Sequence, residues 1–183
     1  MKKSNKKEAI VNTAEALFYQ QGFHSVGVKR ILEQAEVATM TMYYHFKSKE
    51  ELIVEVLRQR EKQYFLLVDS IIVKEKGLKA YVSSIMEAHL KWVEEAGTNG
   101  CLFLRAKQEY KDTNEQISSL SKEHKQKLIN KIKNDLLGFK NSEAISVQIS
   151  ILLEGITSMI QILDLEKVRH SAYHLAENII DSE

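Results

Sequence analysis

Between positions 39 and 45 the chain reads Thr-Met-Thr-Met-Tyr-Tyr-His. Thr39 and Thr41 can donate or accept hydrogen bonds at base edges, and the Met40 thioether can touch a thymine methyl group. Tyr43, Tyr44 and His45 offer hydroxyl and imidazole groups suited to phosphate oxygens. No carboxylate interrupts the run, which matters for any surface that meets a polyanion. The charge balance supports the same chemistry. Residues 1–49 carry eight Lys/Arg, with Lys2, Lys3 and Lys29 among them, against four Glu, a net of +4. The remainder carries 18 basic and 21 acidic groups, a net of −3. A basic end on a chain of formal charge +1 suggests a polyanionic partner for that end; the alternative is a solvated lysine-rich tail.

These residues need a frame. Val28, Ile31, Leu32 and Ala35 give a first short helix its buried face, and Ala35 is small where a crossing helix would approach. Val37, Met42 and Phe46 would pack a second helix, from about Ala38 to Tyr44, against the first. Two helices of about two turns each, tightly joined, have the geometry of a helix-turn-helix, whose second helix enters the major groove. Ser48-Lys49-Glu50-Glu51 then reads as a capping box: the Ser48 hydroxyl accepts from the Glu51 amide, and the Glu51 side chain reaches back. A helix therefore starts there with its positive dipole end toward the DNA-facing surface. Lys49 opposes that dipole, an arrangement that suits a nearby phosphate; the alternative is an accidental charge costing a few tenths of a kcal/mol.

The rest of the chain is expected to be helical throughout. It has 183 residues, enough for one ordinary domain or two small ones sharing a core, and no proline. No sustained period-2 alternation bounded by hairpin turns is present, so no strand is expected. Ile10, Ala14, Leu17 and Phe18 mark a first helix ending near Gly22. Leu52, Ile53, Val56, Leu57, Tyr64 and Leu67 run along a long helix after the capping box. Leu78, Val82, Ile85, His89 and Trp92 mark another, closed by Gly97, and a short helix from about Cys101 to Tyr110 follows. Ile117, Leu120, His124, Leu128, Ile132 and Leu136 trace a lysine-rich amphipathic helix. Finally, Ile145 to Leu163 and Val168 to Ile179 form two adjacent apolar stripes. They suit an antiparallel hairpin that docks on its twin as a four-helix bundle, or else faces the monomer's own core.

The string from Gly22-Phe23 through Val28, Ile31, Ala35 and Val37 to Tyr43-Tyr44-His45-Phe46-Lys47-Ser48-Lys49-Glu50-Glu51-Leu52 resembles the TetR-type repressors. With the preceding helix this covers about the first third of the chain. The resemblance implies an all-α fold. Residues 1–50 would form a three-helix DNA reader and residues 51–183 a helical ligand-binding and dimerisation domain. It also implies that the recognition-helix residues, Tyr43, His45 and Lys49 touch DNA. The run from Gly100 to Tyr110, with Ser-Lys-Glu-His-Lys at 121–125, looks like the C-terminal domain of one branch of the family. Three positions depart from the family pattern. Glu36 and Met40 stand where glycine is frequent, and Val26-Gly27 stands where a Thr or Ser usually caps the helix. Glu36 is expected to shift the turn, Met40 to stiffen the recognition helix, and Ser25 or Gly27 to supply the cap.

Other residues bear on a sensor. Tyr64, Tyr81, Met86, Trp92, Phe103, Tyr110 and Met159 are aromatic or soft and could line an effector pocket, or simply fill the core. Cys101, the single cysteine, follows Gly100 at a helix start with Arg105 one turn on; both features would favour a reactive thiol, and packing is the alternative. His170 and His174 lie four apart with Glu177 on the same face, a spacing able to hold a metal, but histidines at helix surfaces are commoner. No metal site and no cofactor are expected. No glycine-rich phosphate loop, Gly-x-Ser-x-Gly elbow or recognisable catalytic spacing occurs, so no enzymatic activity is expected. One cysteine, no apolar run of membrane-spanning length and no charged-then-apolar leader together suggest a soluble cytoplasmic protein. The function expected is a ligand-responsive transcriptional regulator, a repressor that binds a palindromic operator as a homodimer and is released by a small molecule. The alternative is a helical carrier or interaction protein whose reader no longer works.

Overall fold

The computed structural model describes the backbone of residues 3–181 and the side chains of residues 6–180. Lys2 and the side chain of Lys3, from the basic end, lie outside the described residues. Within them the chain forms nine helices and no strand. They are α1 (Lys3–Gln21), α2 (Val28–Gln34), α3 (Thr39–His45), α4 (Lys49–Ile71), α5 (Leu78–Ala96), α6 (Leu102–Tyr110), α7 (Glu115–Asp135), α8 (Ser142–Met159) and α9 (Leu165–Asp181). The all-helical expectation holds.

The chain folds as two compact units. One runs to Lys62 and takes in Leu102–Glu123; the other takes in Gln63–Cys101 and the chain from His124 onward. In the first, α1, α2 and α3 pack on one another around Ile10, Ala14, Phe18, Phe23, Ile31 and Met42, each with no exposed surface. Phe18 and Phe23 stack with ring centroids 5.0 Å apart. Burying each such side chain is worth roughly 1.5–3 kcal/mol, so this small triad of helices is held chiefly by its aromatic and branched core. Arg60 of α4 donates to Glu15 of α1 at 2.7 Å and lies 4.6 Å from the Tyr19 ring centroid. That buried pair ties the middle of α4 to α1.

In the second unit α5, α8 and α9 pack together. Tyr81, Ile85 and Met86 of α5 meet Ile149, Leu153 and Ile156 of α8, with Val168, Ala172 and Ala176 of α9 in the same core. The two alanines let α9 approach closely. Asp135 at the end of α7 accepts from Tyr81 at 3.1 Å and pairs with Lys74 at 2.5 Å and Lys131 at 3.4 Å, so its buried charge is compensated.

Candidate nucleic-acid interface

The reader is built from the end of α2. The Glu36 amide donates to Glu33 O at 3.3 Å and the Val37 amide to Leu32 O at 3.0 Å. This pair of bonds is a Schellman motif, which requires a left-handed residue just past the helix cap. Ala35 is the cap, and Glu36 takes the left-handed position at φ 54°. Glycine is the usual occupant because a Cβ is strained there. The turn has therefore kept a glycine-type geometry, contrary to the shift expected from the sequence, and the glutamate bears the strain. Val37, buried beside Leu32 and Ile31, completes the motif's apolar contact. Gly27 is the N-cap of α2 and supplies no side-chain bond; Ser25 does not fill that role.

α3 follows at once. Ala38 caps it without a side-chain bond, Met42 is fully buried, and the Phe46 amide closes on Met42 O at 2.7 Å. With Met42 fixed inward, the opposite face turns out. Met40 is 83% exposed, Thr39, Tyr43 and Tyr44 are exposed, and Thr41 and His45 are half-buried. The Tyr44 and His45 rings meet edge-on at 5.0 Å. Beside this face runs an open groove of about 680 Å³ lined by Lys29, Leu32, Glu36, Val37, Thr39 and Tyr43, among others. Lys29 stands on its rim, 3.8 Å from Glu33 one turn on. Every DNA candidate except Lys49 therefore sits on one outward surface or its edge.

Lys49 has another partner. Its Nζ donates to Phe23 O at 2.6 Å and lies 5.9 Å from the Phe18 ring centroid. Burial pushes its pKa below the ordinary lysine value. The position against the α4 dipole is thus explained by a carbonyl in the connection after α1, and the first-turn carboxylates Glu50 and Glu51 satisfy the dipole. The cap itself forms as expected, with the Glu51 amide 3.2 Å from Ser48 Oγ. The Glu51 carboxylate reaches back one residue further than the usual box, to the Lys47 amide at 2.7 Å.

Four residues not assigned to the reader from the sequence, Glu109, His24, Tyr110 and Arg105, brace the same corner. Glu109 of α6 accepts from the Phe23 amide at 3.2 Å and the His24 amide at 2.8 Å. The His24 ring nitrogen Nε2 lies 2.9 Å from Glu109 O, and the ring packs on Tyr110 at 4.8 Å. Arg105 donates to Tyr19 O at 2.8 Å and Phe18 O at 3.4 Å. Arg105 was expected to act on the Cys101 thiol; its bonds to α1 give it a bracing role. These contacts join positions more than eighty apart, so no local pattern could announce them.

Of the effector candidates, Tyr64 and Trp92 come together with ring centroids at 5.5 Å. Tyr64 is wholly buried and its hydroxyl lies 3.0 Å from His89 Nδ1; His89 Nε2 lies 2.8 Å from Thr157 Oγ1. Thr157 donates its own proton to Leu153 O at 3.1 Å, so it accepts from His89 Nε2–H, and Nδ1 must accept from Tyr64. This fixes a neutral tautomer, and burial with the Lys125 charge nearby pushes the His89 pKa down to about 3. Lys125 is paired with Glu154. Burial opposes its charge, but Cys101 and Glu154 beside it outweigh that and raise its pKa. Cys101 is half-buried, Met159 lies exposed on α8, and Tyr81 and Met86 are core. Phe103 and Tyr110 are buried in the other unit, on α6.

A family model described as bacterial regulatory proteins, tetR family, matches residues 10–56, which span α1 to the first part of α4. This segment is of the TetR family of bacterial regulatory proteins. The chain is 26% identical over 80 residues to the fatty acid metabolism regulator protein of Bacillus subtilis (strain 168), covering 44% of this chain and 41% of that protein. It is 45% identical over 56 residues to the HTH-type transcriptional regulator RutR of Escherichia coli (strain K12), covering 31% of this chain and 26% of the other. The matched segments thus span less than half of these curated relatives. A TetR-family transcriptional regulator from Streptomyces coelicolor superposes with TM-score 0.89 at 25% identity, over 98% of this chain and 96% of its own. The E. coli NemR structure in its reduced form shares the fold at TM-score 0.71 and 21% identity, over 95% and 97% of the two chains. The matched segment coincides with the surface described above.

Proposed function

We propose that this chain is a repressor that binds a near-palindromic operator in double-stranded DNA as a homodimer and leaves it when a small molecule binds. The carrying observation is the outward face of α3, where Thr39, Met40, Tyr43 and Tyr44 stand exposed without a carboxylate on a helix anchored by buried Met42. Residues 1–50 supply the reader and residues 51–183 the pairing and effector response. Thr39, Met40 and Thr41 would address base edges, and Lys29, Tyr43, Tyr44, His45 and Lys49 the phosphates and flanks. For Lys49 this role requires the Phe23 O bond to open or be shared.

Pairing is supported by the outward side of the last two helices. Val147, Ile151 and Met159 of α8 and Leu175 of α9 are exposed there, with Ile162 of the connection exposed to 78%. A Cβ built on Gly155 of α8 meets nothing within 4 Å. A run of large apolar side chains open to water suits a second copy of the chain, and a two-fold pair presents two recognition helices to successive major grooves. Tyr64, Trp92 and Cys101 are the favoured effector contacts, with Phe103, Tyr110 and Met159 as further candidates. Release follows only if the effector binds the DNA-incompetent arrangement more tightly. The setting is the cytoplasm, where the DNA lies.

Footprinting of the purified protein on genomic DNA tests this reading. Discrete protected sites with two half-sites, and an affinity that falls steeply with salt, are expected. Protection of no discrete site would leave a helical carrier with a silent reader as the better account.

A further inference from the structure

α9 presents Glu166, His170, His174 and Glu177 on one side. At 3.6 residues per turn these four fall within about 80° of arc, facing away from the buried Val168, Ala172 and Ala176. The two imidazoles meet with ring centroids 4.5 Å apart and planes at 86°. Glu177 Oε2 lies 3.3 Å from His174 Nδ1. A carboxylate at Nδ1 accepts its proton, leaves the lone pair on Nε2 and raises the basicity of that nitrogen; metal-bound imidazoles are oriented in the same way. Arg169, the neighbouring cation, is turned onto Glu87 at 2.8 Å and Glu166 at 3.5 Å. Its charge is thereby compensated, and Glu166 is drawn off the imidazoles. Among the described residues no three His, Cys, Asp or Glu side chains converge on one point, so the protein's own donors number two. Neither histidine has a part in the reader or in the effector response proposed above.

We propose that His170 and His174 form a two-imidazole site for a divalent late transition-metal ion of the copper, nickel and zinc class, with Glu177 as the orienting carboxylate. Two nitrogen donors one turn apart reach a single ion from the same face. Water fills the remaining positions, or the imidazoles of a second copy do. Imidazole donors select against magnesium and calcium, which take oxygen ligands. Binding a folded helix but not the unfolded chain would stabilise α9 by mass action.

Isothermal titration of the full chain with ZnCl2, NiCl2 and MgCl2, paired with thermal unfolding, tests the site. Saturable binding of zinc and nickel, a rise in Tm with each, and no response to magnesium are expected. One ion per chain indicates two imidazoles and water; half an ion per chain indicates completion by a second copy, and both support the site. Both histidines are exposed, so His170→Gln and His174→Gln should fold normally by circular dichroism and abolish binding. Glu177→Gln should weaken binding roughly 10- to 100-fold. Undiminished binding in the double histidine variant would place the ion elsewhere and overturn the proposal, as would the absence of zinc binding to the intact chain at millimolar metal. Unchanged affinity in Glu177→Gln would overturn the orienting role.

Discussion

Replacing Glu36 with glycine should stabilise this protein, although the change removes a side chain and adds backbone freedom. Glu36 sits at φ 54° because the Schellman bonds from its own amide and from Val37 demand a left-handed residue there. Holding an L-residue in that region costs about 1–2 kcal/mol. Glycine relieves the strain but loses roughly 0.5–1 kcal/mol through the larger entropy of its unfolded chain. The balance favours Glu36→Gly by about 0.5–1 kcal/mol. For a chain of this length that is a rise in Tm of roughly 1–4 °C.

Charge is a competing explanation, since Glu36 borders the groove beside Thr39 and Tyr43. Two further variants separate the causes. Glu36→Ala removes the carboxylate and keeps the Cβ, so it should leave stability near wild type. Glu36→Asn keeps a side chain that tolerates the left-handed region and should recover part of the gain. The assay is urea unfolding at two salt concentrations, with fluorescence anisotropy on operator DNA in parallel. All three variants lose a negative charge near the phosphates, so all three should bind DNA more tightly at low salt, with the gain fading as salt rises. If Glu36→Ala stabilised the protein as much as Glu36→Gly, backbone strain would not be the cause and the argument would fail.

Acid should unfold the protein partly through His89. Its folded pKa is held down to about 3 by burial and by Lys125, whereas an unfolded histidine titrates near 6.5. The unfolded chain therefore takes the proton first. The stability involved is complete above about pH 6.5 and drains as pH falls toward 3, with about 2 kcal/mol gone by pH 5. Urea midpoints measured from pH 8 to pH 5 should show that slope, and His89→Gln should flatten it; an unchanged slope refutes the assignment. Removing the brace on α1 should also be felt. Glu109→Ala leaves the Phe23 and His24 amides without their carboxylate, so a loss on the order of 2 kcal/mol is expected, together with weaker operator binding; wild-type stability in that variant would refute the brace. For the pairing face, Ile151→Glu puts a charge on a residue 66% exposed in the single chain. Sedimentation should find it monomeric and folded, with operator affinity at least roughly tenfold lower; a dimer of wild-type stability would move the interface elsewhere.

Much of this was legible in residue spacing because it is local. Met42 and Phe46 pack where the helical period places them, and the Ser48 hydroxyl caps the helix that its own tetrapeptide announces. The presence of the helices follows from apolar periodicity, and Gly22 and Gly97, with φ values of 85° and 102°, end α1 and α5; the apolar stripe drawn to Leu163 overruns α8, which stops at Met159. What escaped is long-range. Glu109 acts on the α1–α2 connection and Arg105 on α1 across more than eighty residues, and polar side chains on a short amphipathic helix look alike whether they meet water or the backbone. The division of Tyr64 and Phe103 between two compact units was hidden for the same reason.

Lys49 and Glu36 show how an anomaly can be seen in the sequence while its structural partner stays hidden. Each breaks a local rule: a cation at a helix start, and a branched-off side chain where a turn wants glycine. A broken rule says that something non-local compensates, not what that something is. For Lys49 the sequence suggests a phosphate, and the structure supplies the Phe23 carbonyl at 2.6 Å. The two partners differ in consequence. A lysine held by its own protein positions the recognition helix before DNA arrives, and Lys49→Met would then weaken both folding stability and DNA affinity. A lysine serving phosphate alone would lose affinity and about one unit of salt slope while stability stayed unchanged. For Glu36 nothing in the structure compensates the strain locally, which makes it a cost retained by the reader. Since the same residue borders the groove beside Thr39 and Tyr43, the cost and the choice of operator sequence are tied to a single side chain, and the Glu36 variants measure both together.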